Sequence, residues 1–128
     1  MSYYFNKTID GPFEQTVERV RAELKAEGFG VLTDIDVKAT LKEKLGVDFR
    51  KYRILGACNA PYAYKALQVE DKIGTMLPCS VIVQETEAGR VEVAAIDPVA
   101  SMQAVGNPAL EPVGREVQAK LKRVIDGL

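Results

Sequence analysis

Two cysteines are the residues in this chain most able to do chemistry. Cys58 lies in the stretch Leu55-Gly56-Ala57-Cys58-Asn59 and Cys79 in Leu77-Pro78-Cys79-Ser80, a C-x20-C spacing. A thiolate is a nucleophile and a soft metal ligand, and two thiols can exchange with a disulfide. Free cysteine is also among the most buried residue types and often only packs. Three readings stay open on the residues alone: plain packing, a thiol site for redox or sulfur species, and metal binding. The metal reading takes Cys58 and Cys79 as ligands with Asp97 as a third, although most zinc sites use a close cysteine pair or histidine.

The elements that position the cysteines follow from hydrophobic period and turn residues. Residues 52–58 read as a strand that ends at Cys58. Asn59 reads as the N-cap of a short helix reaching about residue 69, with Pro61 in its first turn. Amides at such an N-terminus favour anions and lower the pKa of a nearby thiol. Residues 79–86 and 90–97 flank Glu87-Ala88-Gly89 and read as a hairpin. Centring its turn on Ala88 pairs Val83 with Val93 and Val81 with Ala95. The same register sets Cys79 opposite Asp97, with Cβ atoms about 5 Å apart. If the strands bearing Cys58 and Cys79 are antiparallel neighbours, both cysteines lie at one sheet edge. If they are parallel neighbours, roughly 15–20 Å separates them. The candidate site is therefore Cys58, Asn59, Cys79, Asp97 and Tyr62.

The rest of the chain supplies a scaffold. A strand over 3–9 leads to a helix whose apolar face is Phe13, Val17, Val20 and Leu24 and which ends at Gly28. A strand over 29–37 places Val31, Thr33, Ile35 and Val37 on one face by period two. Asp34 or Asp36 caps a short helix carrying Val37, Leu41 and Leu45 and stopping at Gly46. Residues 71–78 read as a loop and 99–106 as irregular. Asn107-Pro108 opens a last helix with Val113, Val117, Leu121 and Val124 or Ile125 on one face. The two glycines of Glu27-Gly28-Phe29-Gly30-Val31 lack the strand-before, helix-after context of a phosphate loop. Helices between most strands, with a closing hairpin, point to an α+β fold with a mostly antiparallel or mixed sheet and helices on one face. A homodimer partner is one way to cover the other face.

Composition narrows the function classes. The chain has 128 residues, 47% of them apolar, which fits one domain spanning 1–128. With 17 basic and 18 acidic residues the net charge is -1, so nucleic acid and anionic membrane are poor partners. There is no histidine, which removes Ser-His-Asp and Cys-His catalysis and the commonest metal ligand. No recognisable catalytic constellation remains, and no cofactor is required by the sequence. The N-terminal residues lack a signal-peptide pattern and no apolar run approaches the length of a membrane helix, so a cytoplasmic location with reduced cysteines is expected.

Three long stretches carry a family resemblance: "YRILGACNAPYAYKALQ", "IGTMLPCSVIVQE" and "VAAIDPVASMQAVGNPAL". Together with "GPFEQTVERVRAELKAEGFGVLTDIDVKATLKEKLGVDFRKYRILGACN" they resemble the domain-of-unknown-function family 302 over nearly the whole chain. Members often have Asn where this chain has Ser80, and Pro directly after "ACN" where it has Ala60. The resemblance implies a TATA-binding-protein-like fold: a curved, mostly antiparallel five-stranded sheet covered by helices, with a long C-terminal helix, usually as a dimer. It implies no activity, because the family has none established. Two functions follow as expectations. One is a two-cysteine thiol site handling redox chemistry, a sulfur species or a metal. The other is a non-catalytic small-ligand-binding or homodimeric assembly module, its pocket lined by Tyr62, Tyr64, Met76 and Met102.

Overall fold

The computed structural model describes residues 2–128. The chain runs β1 (Tyr4–Asp10), α1 (Phe13–Ala26), β2 (Gly30–Asp36), α2 (Val37–Leu45), β3 (Tyr52–Cys58), α3 (Ala60–Val69), β4 (Cys79–Glu87), β5 (Arg90–Ile96), α4 (Pro98–Met102) and α5 (Glu111–Asp126). Short 3-10 turns fill Asp71–Met76, Gln103–Val105 and Pro108–Leu110. The five strands form one sheet in the order β1-β5-β4-β3-β2, and every neighbouring pair is antiparallel. This is the α+β architecture with a long C-terminal helix that the resemblance implies, consistent with the TATA-binding-protein-like class. Among the described residues, no helix is long and apolar enough to cross a membrane.

The core lies between one face of the sheet and the helices α1 and α5. Period two sends Val81, Val83, Val91, Val93 and Leu55 to that face, and all five are fully buried. Period 3.6 brings Val17, Val20 and Leu24 of α1 and Leu121 and Val124 of α5 onto them. Burying one such side chain contributes about 1.5–3 kcal/mol. A smaller cluster of Ala66, Ile73 and Leu110, with Met102 and Val113 against it, joins α3 to the segment before α5.

Several local expectations need correction. The strand β2 does not keep Val31, Thr33 and Ile35 on one face. Its register slips between Val31 and Thr33, so Val31 stands opposite Ala57 while Thr33 stands opposite Gly56. A bulge of this kind reverses the face of everything after it. Helix α2 is capped by Asp36, whose side chain accepts from the Ala39 amide, and ends at Gly46 in the left-handed region (φ 67°). Yet none of its residues is buried and Leu45 is 68% exposed. The segment 71–78 contains a 3-10 turn, and 99–106 contains α4 and another. Asn107-Pro108 opens a 3-10 turn, so α5 itself starts at Glu111.

The sheet's second face is not covered by the core helices α1 and α5. Cross-strand partners align there in rows. Ile35, Ile54, Ile82 and Ala94 form a central apolar row, and Tyr52, Gln84 and Glu92 form a polar one beside it.

Candidate functional site

Strand β3 ends at Cys58 and β4 begins at Cys79, and the two strands are antiparallel neighbours. Both cysteines therefore lie toward one edge of the sheet, as the antiparallel alternative requires. The residue opposite Cys79 is Ala57 rather than Cys58. The thiols are both free and do not come close to each other, so they do not make one site. Cys79 is only 9% exposed. Burial pushes its thiol up to about 11, with a smaller electrostatic push from Cys58. At neutral pH it is a protonated, poorly nucleophilic group, the reverse of an activated thiol.

The proposed third member, Asp97, is occupied elsewhere. The hairpin register holds as far as Val81 opposite Ala95, but β5 stops at Ile96. Pro98 lacks an amide hydrogen and starts α4, so Asp97 is a helix cap and not a strand residue. Its Oδ1 accepts from the amides of Val99 (3.0 Å) and Ala100 (3.4 Å) and from Nε2 of Gln118 on α5 (3.0 Å). Among the described residues, no cluster of three or more Cys, Asp or Glu side chains can hold a metal ion. The metal reading of Cys58 and Cys79 with Asp97 therefore fails on geometry.

Asn59 does occupy the N-cap position of α3, but its side chain makes no cap hydrogen bond. It is buried, and its Nδ2 donates to the Glu27 carbonyl at the end of α1 (3.2 Å). Gly28 sits directly beneath it in the left-handed region (φ 87°), where a Cβ would stand 3.2 Å from that same Nδ2. The motif thus ties two helix ends together rather than presenting a free donor. Glycine at 56 has a similar steric origin. A Cβ there would meet Thr33 Oγ1 at 2.2 Å and Pro78 Cγ at 2.7 Å.

The residues around the cysteines do enclose a space. Cys58, Cys79, Tyr62, Ala66, Met102 and Val117 border a nearly all-apolar cavity of about 30 Å³, the volume of a single water molecule. Tyr62 faces it and carries the ammonium groups of Lys65 (5.4 Å) and Lys120 (6.0 Å) over its ring. Tyr64 does not take part and is 66% exposed. Met76 borders a separate groove with Pro78, Cys79 and Met102.

Met102 connects this cavity to a larger one that sequence reasoning missed. A cleft of about 360 Å³ opens between α4 and α5. Val99, Met102, Leu110 and Gly114 form its floor, and Gln103, Glu111 and Arg115 stand at its rim. Arg115 pairs with Glu111 one turn earlier at 2.8 Å. Gly114 makes the space: a Cβ there would lie 3.5 Å from Met102 Sδ and 3.7 Å from Val99 Cγ2. A glycine inside the apolar stripe of a 16-residue helix was the available signal. The residues of α4 are too few to show a period and read as irregular chain, which hides the cleft.

Comparison with known proteins agrees with this architecture. No curated protein matches the chain. The crystal structure of an uncharacterized conserved DUF302 protein from Bacillus stearothermophilus superimposes with a TM-score of 0.90, at 29% identity and over 98% of each chain. The sequence profile of the family described as "Domain of unknown function DUF302" matches residues 5–128. The chain belongs to the DUF302 family.

Proposed function

We propose that this DUF302 protein is a non-catalytic binding module that takes a small, largely apolar molecule in the cleft between α4 and α5. One observation carries the reading: a concave space of about 360 Å³ with an apolar floor and a polar rim. Small-molecule sites have this size and this division between apolar lining and a few polar groups. The floor offers dispersion contacts from Val99, Leu110 and the polarisable, adaptable thioether of Met102. Gln103 and Arg115 at the rim supply orienting donors. The protonated state of Cys79 supports binding over thiol catalysis. Gly114 is central, since any longer side chain there grows into the cleft.

Thermal shift and calorimetry with toluene, indole and 1-hexanol test the reading. The native protein is expected to bind at least one of them. Gly114→Leu is expected to abolish that binding, while Gly114→Ala, whose methyl meets only ordinary van der Waals contacts, reports on the fold. Absence of binding to the native protein, or equal binding to a folded Gly114→Leu variant, would contradict the reading.

A further inference from the structure

The sheet face opposite the α1 and α5 core carries a second, independent feature. A groove of about 330 Å³ runs across it, bordered by Tyr3, Tyr4, Tyr52, Ile82, Glu92 and Ile96. Among the described residues, Glu92 is its only charged group. Both oxygens of that carboxylate accept hydrogen bonds from neutral amides: Asn6 Nδ2 to Oε2 at 3.0 Å and Gln84 Nε2 to Oε1 at 2.8 Å. Arg50 donates to Gln84 Oε1 at 2.8 Å, and its guanidinium lies 4.3 Å from the Phe49 ring centre and 5.8 Å from that of Tyr52. Its charge thus stops one residue short of Glu92. Among the described residues, Glu92 enters no ion pair. The amides hold the carboxylate in place on the sheet without pairing its negative charge.

We propose that this groove binds a small organic ammonium compound. The cationic centre sits over Glu92 toward the tyrosine rings, and the carbon skeleton rests on Ile82 and Ile96. Aromatic faces attract cations, and the attraction grows when the cation is weakly hydrated. A quaternary or alkyl ammonium suits a groove floored by apolar side chains, since it gives up water readily. A divalent metal does not suit it, because one carboxylate already holding two amides cannot assemble the six or more oxygen ligands such an ion takes.

Calorimetric titration with choline and with its uncharged carbon isostere, 3,3-dimethyl-1-butanol, tests the proposal. Choline is expected to bind at least about tenfold more tightly than the isostere, the scale of a cation-aromatic contact plus one charge pair. Its affinity should fall as salt rises. Glu92→Gln should remove most of the difference, and Tyr52→Leu should weaken choline several-fold. If Glu92→Gln fails to fold, the Tyr52→Leu loss and the salt dependence carry the decision. Equal affinity for the isostere overturns the proposal, as does no heat at millimolar choline or undiminished binding in a folded Glu92→Gln variant. Sedimentation as a dimer that shields Tyr4 and Tyr52 would overturn it in favour of a second copy.

Discussion

Cys79 shows how environment outweighs residue type. Placed at the buried start of β4, its thiol is held neutral up to about pH 11 instead of 9.0. The fold therefore prefers the protonated form. That contribution to stability is complete below pH 9 and is lost between pH 9 and 11, as the unfolded chain ionises first. Urea midpoints across this window are expected to fall more steeply for the native protein than for Cys79→Ser. Thiol reagents at neutral pH should label Cys58 well before Cys79. Two motif residues act through sterics and hydrogen bonding. Gly56→Ala should destabilise by about 1–3 kcal/mol, because Thr33 and Pro78 must move aside. Asn59→Ala should cost about 1–2 kcal/mol by leaving the Glu27 carbonyl unpaired. Chemical denaturation measures both. The importance of these residues was legible in their clustering around Cys58. Their roles were not, because Asn59 bonds a residue 32 positions away.

At the level of elements, legibility tracked length and regularity. The strand Tyr52–Cys58 and the hairpin register around Ala88 followed from period two and a glycine turn. Helices α1 and α5, with 14 and 16 residues, show full apolar periods. Helix α4 has only 5 residues, too few to display a period, and it forms because Asp97 caps it and Pro98 starts it. Without a visible period for α4, the pattern continues the strand through Asp97 and leaves no wall for the cleft. The bulge at Leu32 was invisible because a one-residue insertion leaves composition unchanged while reversing the face. Asp97→Ala should cost about 1–2 kcal/mol through the lost cap and the lost tie to Gln118. It should also weaken ligand binding, since α4 forms one wall of the cleft. Gly114→Ala should stabilise by about 0.5–1 kcal/mol, the ordinary gain for glycine replaced inside a helix.

For the molecule as a whole, the sheet divides the chain into two sides with different chemistry. On the helical side, Asp34 of β2 is held by Arg53 and also pairs with Arg21 of α1, joining sheet to helix. The hydrogen bond from Arg53, then that from Arg21, lowers its pKa against the opposing effect of burial. Stability from this group is present above the ordinary value of 3.8 and is lost as pH falls through the lowered one. Asp34→Asn should flatten that acid limb in melts taken at successive pH values. The antiparallel order came through family resemblance, because local patterns do not state which strands are neighbours. The α4–α5 cleft brings Val99 and Met102 against Leu110, Gly114 and Arg115, a meeting set by chain packing. The most direct measurement of the binding reading is a methionine-methyl NMR spectrum of the native protein titrated with indole, toluene and 1-hexanol. A ligand in the cleft should shift the Met102 methyl and leave that of Met76, which lines a different groove, unmoved. A shift at Met76, with or without one at Met102, or no shift at either residue, would contradict it.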